Sequence, residues 1–414
     1  MSLSADQTCI IIGASHGGVS AAFSLRKEGW QGNIILIDSD PCLPYHRPPL
    51  SKAYLTNNDN VQPAILKPAA SYDKNNITLK LGMLVTNIDR KTQVVSLQND
   101  EKLNYHKLII ATGARPFIPP ILGIEQANNL FALRTQSDVE KIRQALKLSK
   151  DKRVVIIGGG YIGLETAASI KKLGGEVTVL ERENRLLARV TSPEMSDFFK
   201  QLHITHGVNI ETNQNVSSIK IIDGKQVVSC EDNKEYIADL IIVGVGIRVN
   251  QELAKQAGLS VENGITVDEH CLTSDKNIYA IGDCAFHYNK HYSRWLRLES
   301  VQNAVDQSKI SASSICGKEV SYDAIPWFWS DQFDIKLQMV GLASGYDKVI
   351  VRKEVNEESK FSVWYFKGDE LLAVDAINHA KAYVLGTKLI KSKAIINKVH
   401  LANAEILLTI ESLV

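Results

Sequence analysis

The 414-residue sequence predicts an α/β fold in which a strand, a glycine-containing turn and a helix occur twice, followed by a small α+β region. Three observations lead to this class. One such turn follows an apolar run near residue 13, and a second follows a similar run near residue 158. Beyond residue 325, apolar residues alternate in FDIKLQMVG and KFSVWYF, which is typical of antiparallel strands, and the chain then ends in a more helical stretch.

The first turn lies in TCIIIGASHGGVSAAFSLRKEG, from Thr8 to Gly29. Gly13, Ser15 and Gly18 fill the three positions of the G-x-G-x-x-G dinucleotide fingerprint. The middle position usually takes glycine so that the backbone can approach a pyrophosphate, and serine adds only a small polar side chain. Asp38 ends the next strand, close to the offset at which an acid accepts ribose hydroxyls. The segment alone leaves open an ordinary strand–loop–helix crossover.

The second turn favours dinucleotide sites over ordinary crossovers, because it repeats the fingerprint completely. It lies in VVIIGGGYIGLETAASIKKLGGEVTVLER, from Val154. A pyrophosphate would rest on the amides at the helix N-terminus, where the helix dipole favours an anion. Two such units predict two dinucleotides, and a flavin with a nicotinamide exchanging hydride is the natural pair. The residues predicted to hold the second dinucleotide are Gly158, Gly160, Tyr161, Ile162, Gly163, Glu181 and, in a later strand-to-glycine crossover, Gly246.

Composition predicts a cytoplasmic enzyme of two or three domains. Hydrophobic residues make up 44% and charged residues 22%, and the net charge of +1 favours neither nucleic acid nor a membrane surface. No apolar run is long enough for a membrane span, and the first strand begins too close to Met1 for a signal peptide. We therefore expect no nucleic-acid or membrane partner.

Cysteines and histidines give weak signals. The six cysteines include no C-x-x-C pair, so a disulfide framework is disfavoured. Cys42 follows the first ribose acid and is either a redox thiol or an ordinary loop cysteine. His203 and His206 form an i, i+3 pair without a third ligand nearby, which favours a capping or surface role over zinc. We predict no metal site.

Two further motifs establish a resemblance to a family. KLIIATGARP (107–116) and KNIYAIGDCAF (276–286) are strand-to-glycine crossovers on either side of the second fingerprint. This order resembles the two-dinucleotide flavoprotein reductases of the glutathione reductase type. That family implies two Rossmann-like dinucleotide-binding domains plus a small α+β C-terminal domain, with FAD on the first fingerprint and the nicotinamide on the second.

Three long motifs narrow the resemblance: LPYHRPPLSKAYL, RLESVQNAVDQ and PWFWSDQFDIKLQMVG. They are similar to the oxygenase-coupled ferredoxin reductases, which also include rubredoxin reductases. The resemblance implies that electrons pass from NADH through FAD to a two-iron two-sulfur ferredoxin, or a rubredoxin, that feeds an oxygenase. It also implies a monomer or weak homodimer.

The domain organisation that follows is interrupted. The FAD-binding domain is predicted to comprise 1–113 and 245–324, with the NAD-binding domain inserted as 114–244. A C-terminal interface domain takes 325–414. The proline-rich ARPFIPPILG would be the crossing between the first two domains.

The resemblance also assigns residues to FAD. Lys52 would bring a positive charge near the reacting ring, and Glu165 would meet that lysine, although an acid in the first turn of a helix is also favourable by itself. Arg47 and Arg134 could bind the pyrophosphate or form surface ion pairs. The full set implied for FAD is Gly13, Ser15, Gly18, Asp38, Arg47, Lys52, Ala111, Thr112, Gly113, Arg134, Asp283, Val301 and Trp327.

The exit of electrons is assigned to PWFWSDQFD. Trp327 and Trp329 stand two apart, so in a strand both point to one side. The resemblance puts Trp327 on the flavin and Trp329 towards the carrier, whereas spacing alone equally favours two structural aromatics. Arg294, Arg297 and Lys336 would supply a positive rim for an acidic ferredoxin. Lys52, Glu165 and Trp329 are thus the candidate catalytic residues.

Two rival functions remain open. Cys42 could serve a thiol-based NADH oxidase or a peroxide or disulfide reductase. Alternatively, the chain could be a redox interaction protein similar to apoptosis-inducing factor. For the nicotinamide, Glu181 favours NADH because it repels a 2′-phosphate, while nearby Arg182 and Arg185 are residues that an NADPH site would use.

Overall fold

The protein is described from a computed structural model over residues 5–57, 61–355, 357 and 359–414. These residues divide into two compact units. Unit 1 draws on Met1–Arg47, Pro63–Arg115 and Arg248–Pro326, and unit 2 on Pro48–Gln62, Pro116–Ile247 and Trp327–Val414. The short segment Pro48–Gln62 thus packs with later parts of the chain. Within the described ranges, no helix is long and apolar enough to cross a membrane.

The strands of the described residues are β1 (Thr8–Ile12), β2 (Asn33–Asp38), β3 (Ile77–Leu81), β4 (Val85–Asp89), β5 (Val94–Leu97), β6 (Lys102–Asn104), β7 (Lys107–Ile110), β8 (Ala114–Pro116), β9 (Leu130–Ala132), β10 (Arg153–Ile157), β11 (Glu176–Glu181), β12 (Asn209–Thr212), β13 (Val216–Ile222), β14 (Lys225–Cys230), β15 (Glu235–Ala238), β16 (Leu240–Val243), β17 (Ile247–Val249), β18 (Val261–Glu262), β19 (Gly264–Val267), β20 (Ile278–Ala280), β21 (Ala285–Asn289), β22 (Arg294–Leu296), β23 (Trp327–Gln332), β24 (Ile335–Gly341), β25 (Lys348–Lys353), β26 (Phe361–Lys367) and β27 (Glu370–Ile377).

The helices are α1 (His16–Glu28), α2 (Ala53–Thr56), α3 (Ala69–Lys74), α4 (Gln136–Leu148), α5 (Tyr161–Lys172), α6 (Pro193–Thr205), α7 (Glu252–Gln256), α8 (Val301–Ile315), α9 (Ala380–Ser392), α10 (Lys398–Ala402) and α11 (Ile410–Leu413). Short 3-10 turns occupy Pro48–Ser51, Ile124–Gln126 and Gly282–Cys284.

Unit 1 centres on a parallel sheet in the order β20-β7-β1-β2-β3. Cys9, Ile10 and Ile11 of β1 are fully buried, which suits a central strand covered on both faces. β1 and β2 pair in register up to Ile12 and Ile37. Gly13 and Asp38, which follow these two residues, therefore lie at the same edge of the sheet.

Unit 2 contains an analogous parallel sheet in the order β12-β11-β10-β16-β9. Here Ile157 pairs with Leu180 on one side and with Val243 on the other. The carboxyl ends of these strands place the second glycine turn, Glu181 and the start of the Gly244–Gly246 crossover at one sheet edge.

The C-terminal part of unit 2 is an antiparallel sheet in the order β23-β24-β27-β26-β25. Helix α9 packs on it so closely that a Cβ at Gly386 would lie 2.6 Å from Val374. The predicted fold class, two dinucleotide-binding α/β sheets with a small α+β C-terminal region, is confirmed.

Candidate active site

Two glycines of each fingerprint are required by packing within the protein. Gly13 has φ +106°, and a Cβ there would overlap the carbonyl oxygen of Ala111 in the neighbouring crossover. A Cβ at Gly18 would overlap the carbonyl oxygen of Gly13. In the second copy Gly158 and Gly163 show the same two close approaches, to Gly244 and to Gly158. These positions make the turn tight whatever it binds.

The middle fingerprint position of the second turn differs, because none of the described residues crowds Gly160. Ser15 and Gly160 are the residues immediately before α1 and α5, and both have extended backbones. A Cβ at Gly160 would meet no atom of the described residues within 4 Å. In the part of the chain that the structure describes, no side chain caps either helix, so the first amides of α1 and α5 are donors suited to an anion.

The two predicted ribose acids make matching contacts. The carboxylate of Asp38 accepts the N–H of Ala14 at 2.5 Å and that of Asp40 at 2.9 Å. Glu181 likewise accepts the N–H of Gly159 at 2.7 Å and that of Glu183 at 2.8 Å. Each carboxylate is thereby fixed beside its turn with lone pairs to spare for hydroxyl donors.

The arginines after Glu181 have different environments. The guanidinium of Arg185 donates to the carbonyls of Ala188 and Thr191 and to the hydroxyl of Ser196, at 2.7 to 2.9 Å. Arg185 is therefore committed to holding its own loop. Arg182 is 69% exposed and pairs with Glu183 at 2.9 Å.

The A-T-G crossover of unit 1 is held by a residue that sequence reasoning missed. The side-chain amide of Asn250 donates to the carbonyl of Thr112 at 2.9 Å, and the Thr112 hydroxyl donates to the carbonyl of Asn250 at 2.7 Å. The backbone N–H of Asn250 donates to the carbonyl of Gly113, which has φ +61°. A partner so distant in sequence left no local signal.

The glycine–aspartate turn depends on another missed residue. Gly282 has φ +74°, and its N–H donates to the side-chain oxygen of Gln307 at 2.7 Å. Gln307 lies on α8, which begins at Val301 and is capped by the hydroxyl of Ser300. Gln307 thus fixes the turn that carries Asp283.

In unit 2, Lys52 and Glu165 form an ion pair of 2.7 Å. Glu165 is 2% exposed, and it also accepts the hydroxyls of Ser51 at 2.5 Å and Ser330 at 2.6 Å. The expectation that Glu165 lies in the first turn of its helix is wrong. Helix α5 begins at Tyr161 and has no acid in its first turn, so the partners of Glu165 are side chains rather than the helix dipole.

The two tryptophans share one side of β23, as their spacing predicts, with ring centroids 5.6 Å apart. Trp327 is 37% exposed and also contacts the ring of Tyr383 on α9, at 6.3 Å. Trp329 is half-buried. Of the predicted positive rim, Arg297 is only 11% exposed and pairs with Glu299 at 2.7 Å, so it is not a surface charge open to a carrier.

The remaining candidate cations have contacts of their own. Arg47 pairs with Asp40 at 3.5 Å and lies over the ring of Tyr45. Arg134 stands just before α4, and its backbone N–H donates to Asp138. The positions assigned to FAD divide between the two units, with Lys52, Arg134 and Trp327 in unit 2 and the others in unit 1.

The histidines and cysteines have structural surroundings. His206 directly follows α6 and contacts the carbonyl of Leu202, whereas His203 is fully buried beside Gln332, so a surface role for His203 is wrong. All six cysteines are free thiols, and Cys42 is half-buried. The residues that the structure describes include no cluster of three or more His, Cys, Asp or Glu that could hold a metal ion.

Comparison with known proteins places this geometry in a family. Residues 7–308 match the pyridine nucleotide-disulphide oxidoreductase family, and residues 327–409 match a reductase C-terminal domain. Putidaredoxin reductase of Pseudomonas putida is 44% identical over 91% of this chain and 90% of its own length. Rhodocoxin reductase of Rhodococcus erythropolis is 40% identical over 93% and 89%. The chain belongs to the oxygenase-coupled ferredoxin reductases.

A solved relative has the same fold as this reductase over nearly the whole length of both chains. The crystal structure of the covalent putidaredoxin reductase–putidaredoxin complex contains a chain with a TM-score of 0.92 and 42% identity, which covers 97% of both chains. The ferredoxin reductase for the CYP199A2 system of Rhodopseudomonas palustris also has a TM-score of 0.92, at 36% identity.

The reductase is an oxidoreductase that uses FAD and NAD(H), and its two turns fit these groups. Each turn joins an uncapped helix start to a fixed acid, and the middle position of the second turn is open to an approaching pyrophosphate. When bound, FAD would supply the redox chemistry that carries electrons from NAD(H) to an iron–sulfur carrier.

Proposed function

We propose that this reductase uses NADH and delivers electrons to a two-iron two-sulfur ferredoxin that serves an oxygenase. Support comes from the putidaredoxin reductase complex, which matches nearly the whole chain. A rubredoxin is the second candidate carrier, because a rubredoxin-NAD(+) reductase of Pseudomonas putida is 40% identical over 90% of this chain. The cytoplasmic location and the monomeric or weakly dimeric state stay predictions.

The FAD site is proposed to use the first turn, with Gly13 and Gly18 shaping it and the amides of α1 receiving the pyrophosphate. Asp38 would accept ribose hydroxyls, because its carboxylate is already fixed beside the turn. The crossover held by Asn250 and the turn held by Gln307 would present Ala111, Thr112, Gly113 and Asp283. The N-terminus of α8 at Val301 would add its amides.

The NAD site is proposed to use the second turn in the same manner. The amides of Tyr161, Ile162 and Gly163 open α5 and would receive the pyrophosphate. Glu181 would accept the ribose hydroxyls and repel a 2′-phosphate. Because Arg185 is bound to its own loop, it is not free to bind a 2′-phosphate, whereas Arg182 is exposed.

Lys52 is proposed to supply the positive charge that favours hydride transfer, and Glu165 to hold it. The contact that carries this proposal is their 2.7 Å ion pair, in which the carboxylate is almost fully buried and the lysine is 17% exposed. A buried carboxylate with three donors is restricted in orientation, so the ammonium has one preferred position. Lys52→Met and Glu165→Gln should each slow the NADH half-reaction.

Trp329 is proposed to be the last residue before the carrier. Stopped-flow spectroscopy tests this in two steps, first flavin reduction by NADH and then reoxidation by an added ferredoxin or rubredoxin. Trp329→Ala should leave the first step nearly unchanged and slow the second severalfold. Trp295→Ala is the matched control, because Trp295 is a 46% exposed tryptophan on β22. Equal second-step rates in both variants would place the exit elsewhere.

The same apparatus separates the rival functions. A thiol mechanism requires Cys42, so Cys42→Ser would abolish turnover with NADH and peroxide or disulfide. A redox interaction protein would keep a long-lived reduced complex with the nicotinamide and would reduce carriers poorly. Fast carrier reduction in both the native protein and Cys42→Ser supports the ferredoxin reductase.

A further inference from the structure

A chain of buried hydrogen bonds leads away from the Lys52–Glu165 pair inside unit 2. The hydroxyl of Ser330 on β23 donates to the second carboxylate oxygen of Glu165, at 2.6 Å. The side-chain amide of Gln332 donates to the Ser330 oxygen at 3.2 Å. His203 Nε2 lies 2.9 Å from the amide oxygen of Gln332. Ser330, Gln332 and His203 are each at most 1% exposed.

The direction of these bonds is fixed by what each group can donate. The amide oxygen of Gln332 can only accept, so Nε2 of His203 must carry its proton. Gln332 then donates to Ser330, and the single hydroxyl proton of Ser330 goes to Glu165. Every member therefore donates towards the carboxylate. Burial lowers the pKa of His203 to about 4, which keeps the imidazole neutral at the far end.

The spacing of strand and helix explains why Ser330 meets Glu165. Phe328 of β23 packs against Tyr161 of α5, with ring centroids 5.3 Å apart. Two residues further along a strand is about 6.6 Å, and four residues along a helix is about 6 Å. Ser330 therefore comes opposite Glu165, while Trp329 points to the other side of the strand.

We propose that Ser330 is a positioning residue for the NADH reaction, which orients the Glu165 carboxylate and thereby the Lys52 ammonium. The inference rests on the role proposed above for that pair. Without the hydroxyl, one carboxylate oxygen would be buried without its donor, and a carboxylate free to rotate would hold the ammonium less firmly. Strand β23 would thus carry Trp329 on one side and, through Ser330 and Glu165 on the other side, position the Lys52 ammonium for the NADH reaction.

The test is a double-mutant cycle on the FAD-loaded protein with Ser330→Ala and Glu165→Gln. Ser330→Ala should slow the NADH half-reaction about tenfold at saturating NADH, which corresponds to ~1.4 kcal/mol, while the NADH concentration for half-maximal rate changes little. Ser330→Thr keeps the hydroxyl and should restore the rate. In the Glu165→Gln background, Ser330→Ala should have no further effect.

A second readout does not depend on turnover. If Ser330 acts through the ammonium, Ser330→Ala should shift the reduction potential of the bound flavin to a more negative value, because the positive charge is held less firmly. Ser362→Ala is the control, since Ser362 is a fully buried serine of the same sheet whose hydroxyl accepts from Trp364 instead. It should change neither the potential nor the rate.

The two levels of the proposal fail differently. If Ser330→Ala behaves like Ser362→Ala, or if its effect adds fully to that of Glu165→Gln, the positioning role of Ser330 is overturned. If Glu165→Gln itself leaves the NADH half-reaction unchanged, the proposed role of the Lys52–Glu165 pair is wrong, and the role of Ser330 falls with it.

Discussion

Gly160→Ala should weaken NADH binding without disturbing the fold. Gly160 has φ −82°, which alanine adopts freely, and a Cβ there would have no neighbour within 4 Å among the residues described. Replacing glycine by alanine restricts the unfolded chain and thereby stabilises the folded protein by about 0.4–1 kcal/mol. Alanine at a helix N-cap destabilises the helix by a similar amount. We therefore expect a change in Tm of less than about 3 °C. The methyl group would stand in the approach of the pyrophosphate and, unlike the Ser15 side chain in the first turn, would offer no hydroxyl to a phosphate oxygen, so KM for NADH should rise at least tenfold, or about 1.4 kcal/mol.

Gly163→Ala is the comparison that separates packing from binding. Its Cβ would lie closer than 3.0 Å to the carbonyl oxygen of Gly158, so the turn itself must shift and the protein should lose stability or fail to fold. Steady-state kinetics with NADH, flavin content and thermal unfolding measure both variants. A Gly160→Ala protein with native Tm and native KM would refute the claim that the second turn receives the pyrophosphate through its middle position.

Three further predictions follow from the structure. Ser15→Gly should retain FAD after purification and Ser15→Val should lose it, because a β-branched side chain would obstruct the phosphates; full retention in the valine variant would contradict this. Glu181→Ala should narrow the preference for NADH over NADPH, measured as the ratio of kcat/KM values, and better use of NADPH by the native protein would overturn the assignment. Asp375 is buried, which raises its pKa from 3.8 to about 6. The folded state then binds the proton more tightly, so the charged carboxylate lowers stability at pH 7 by on the order of 3 kcal/mol, and this loss disappears as the pH falls from 6 towards 4. Urea unfolding should show that the free energy of unfolding of Asp375→Asn and that of the native protein differ by less as the pH falls from 6 towards 4. A difference that stays constant over this range would contradict the raised pKa.

The sequence determined the features that depend on neighbouring residues. The apolar runs before Gly13 and before Gly158, each four to five residues long and followed by a glycine turn, predicted two buried strands, because a strand covered on both faces is apolar throughout. The spacing from each turn to Asp38 and Glu181 predicted the two strand–helix–strand units, and alternation after residue 325 predicted the antiparallel sheet. These signals are local, since dihedral preferences and side-chain periodicity are set within a few residues.

Only the tertiary structure decided which side chains that are far apart in the sequence come into contact. Glu165 receives donors from Ser51 and Ser330, which lie 114 and 165 residues away, and no local pattern marks either serine. Asn250 and Gln307 support the crossover at Thr112 and the turn at Gly282 for the same reason. The sequence made Arg185 a candidate ligand for a 2′-phosphate, but in the structure its guanidinium donates hydrogen bonds to carbonyls of its own loop. Hydrogen bonds depend on distances in space, and folding brings together residues whose separation along the chain carries no signal.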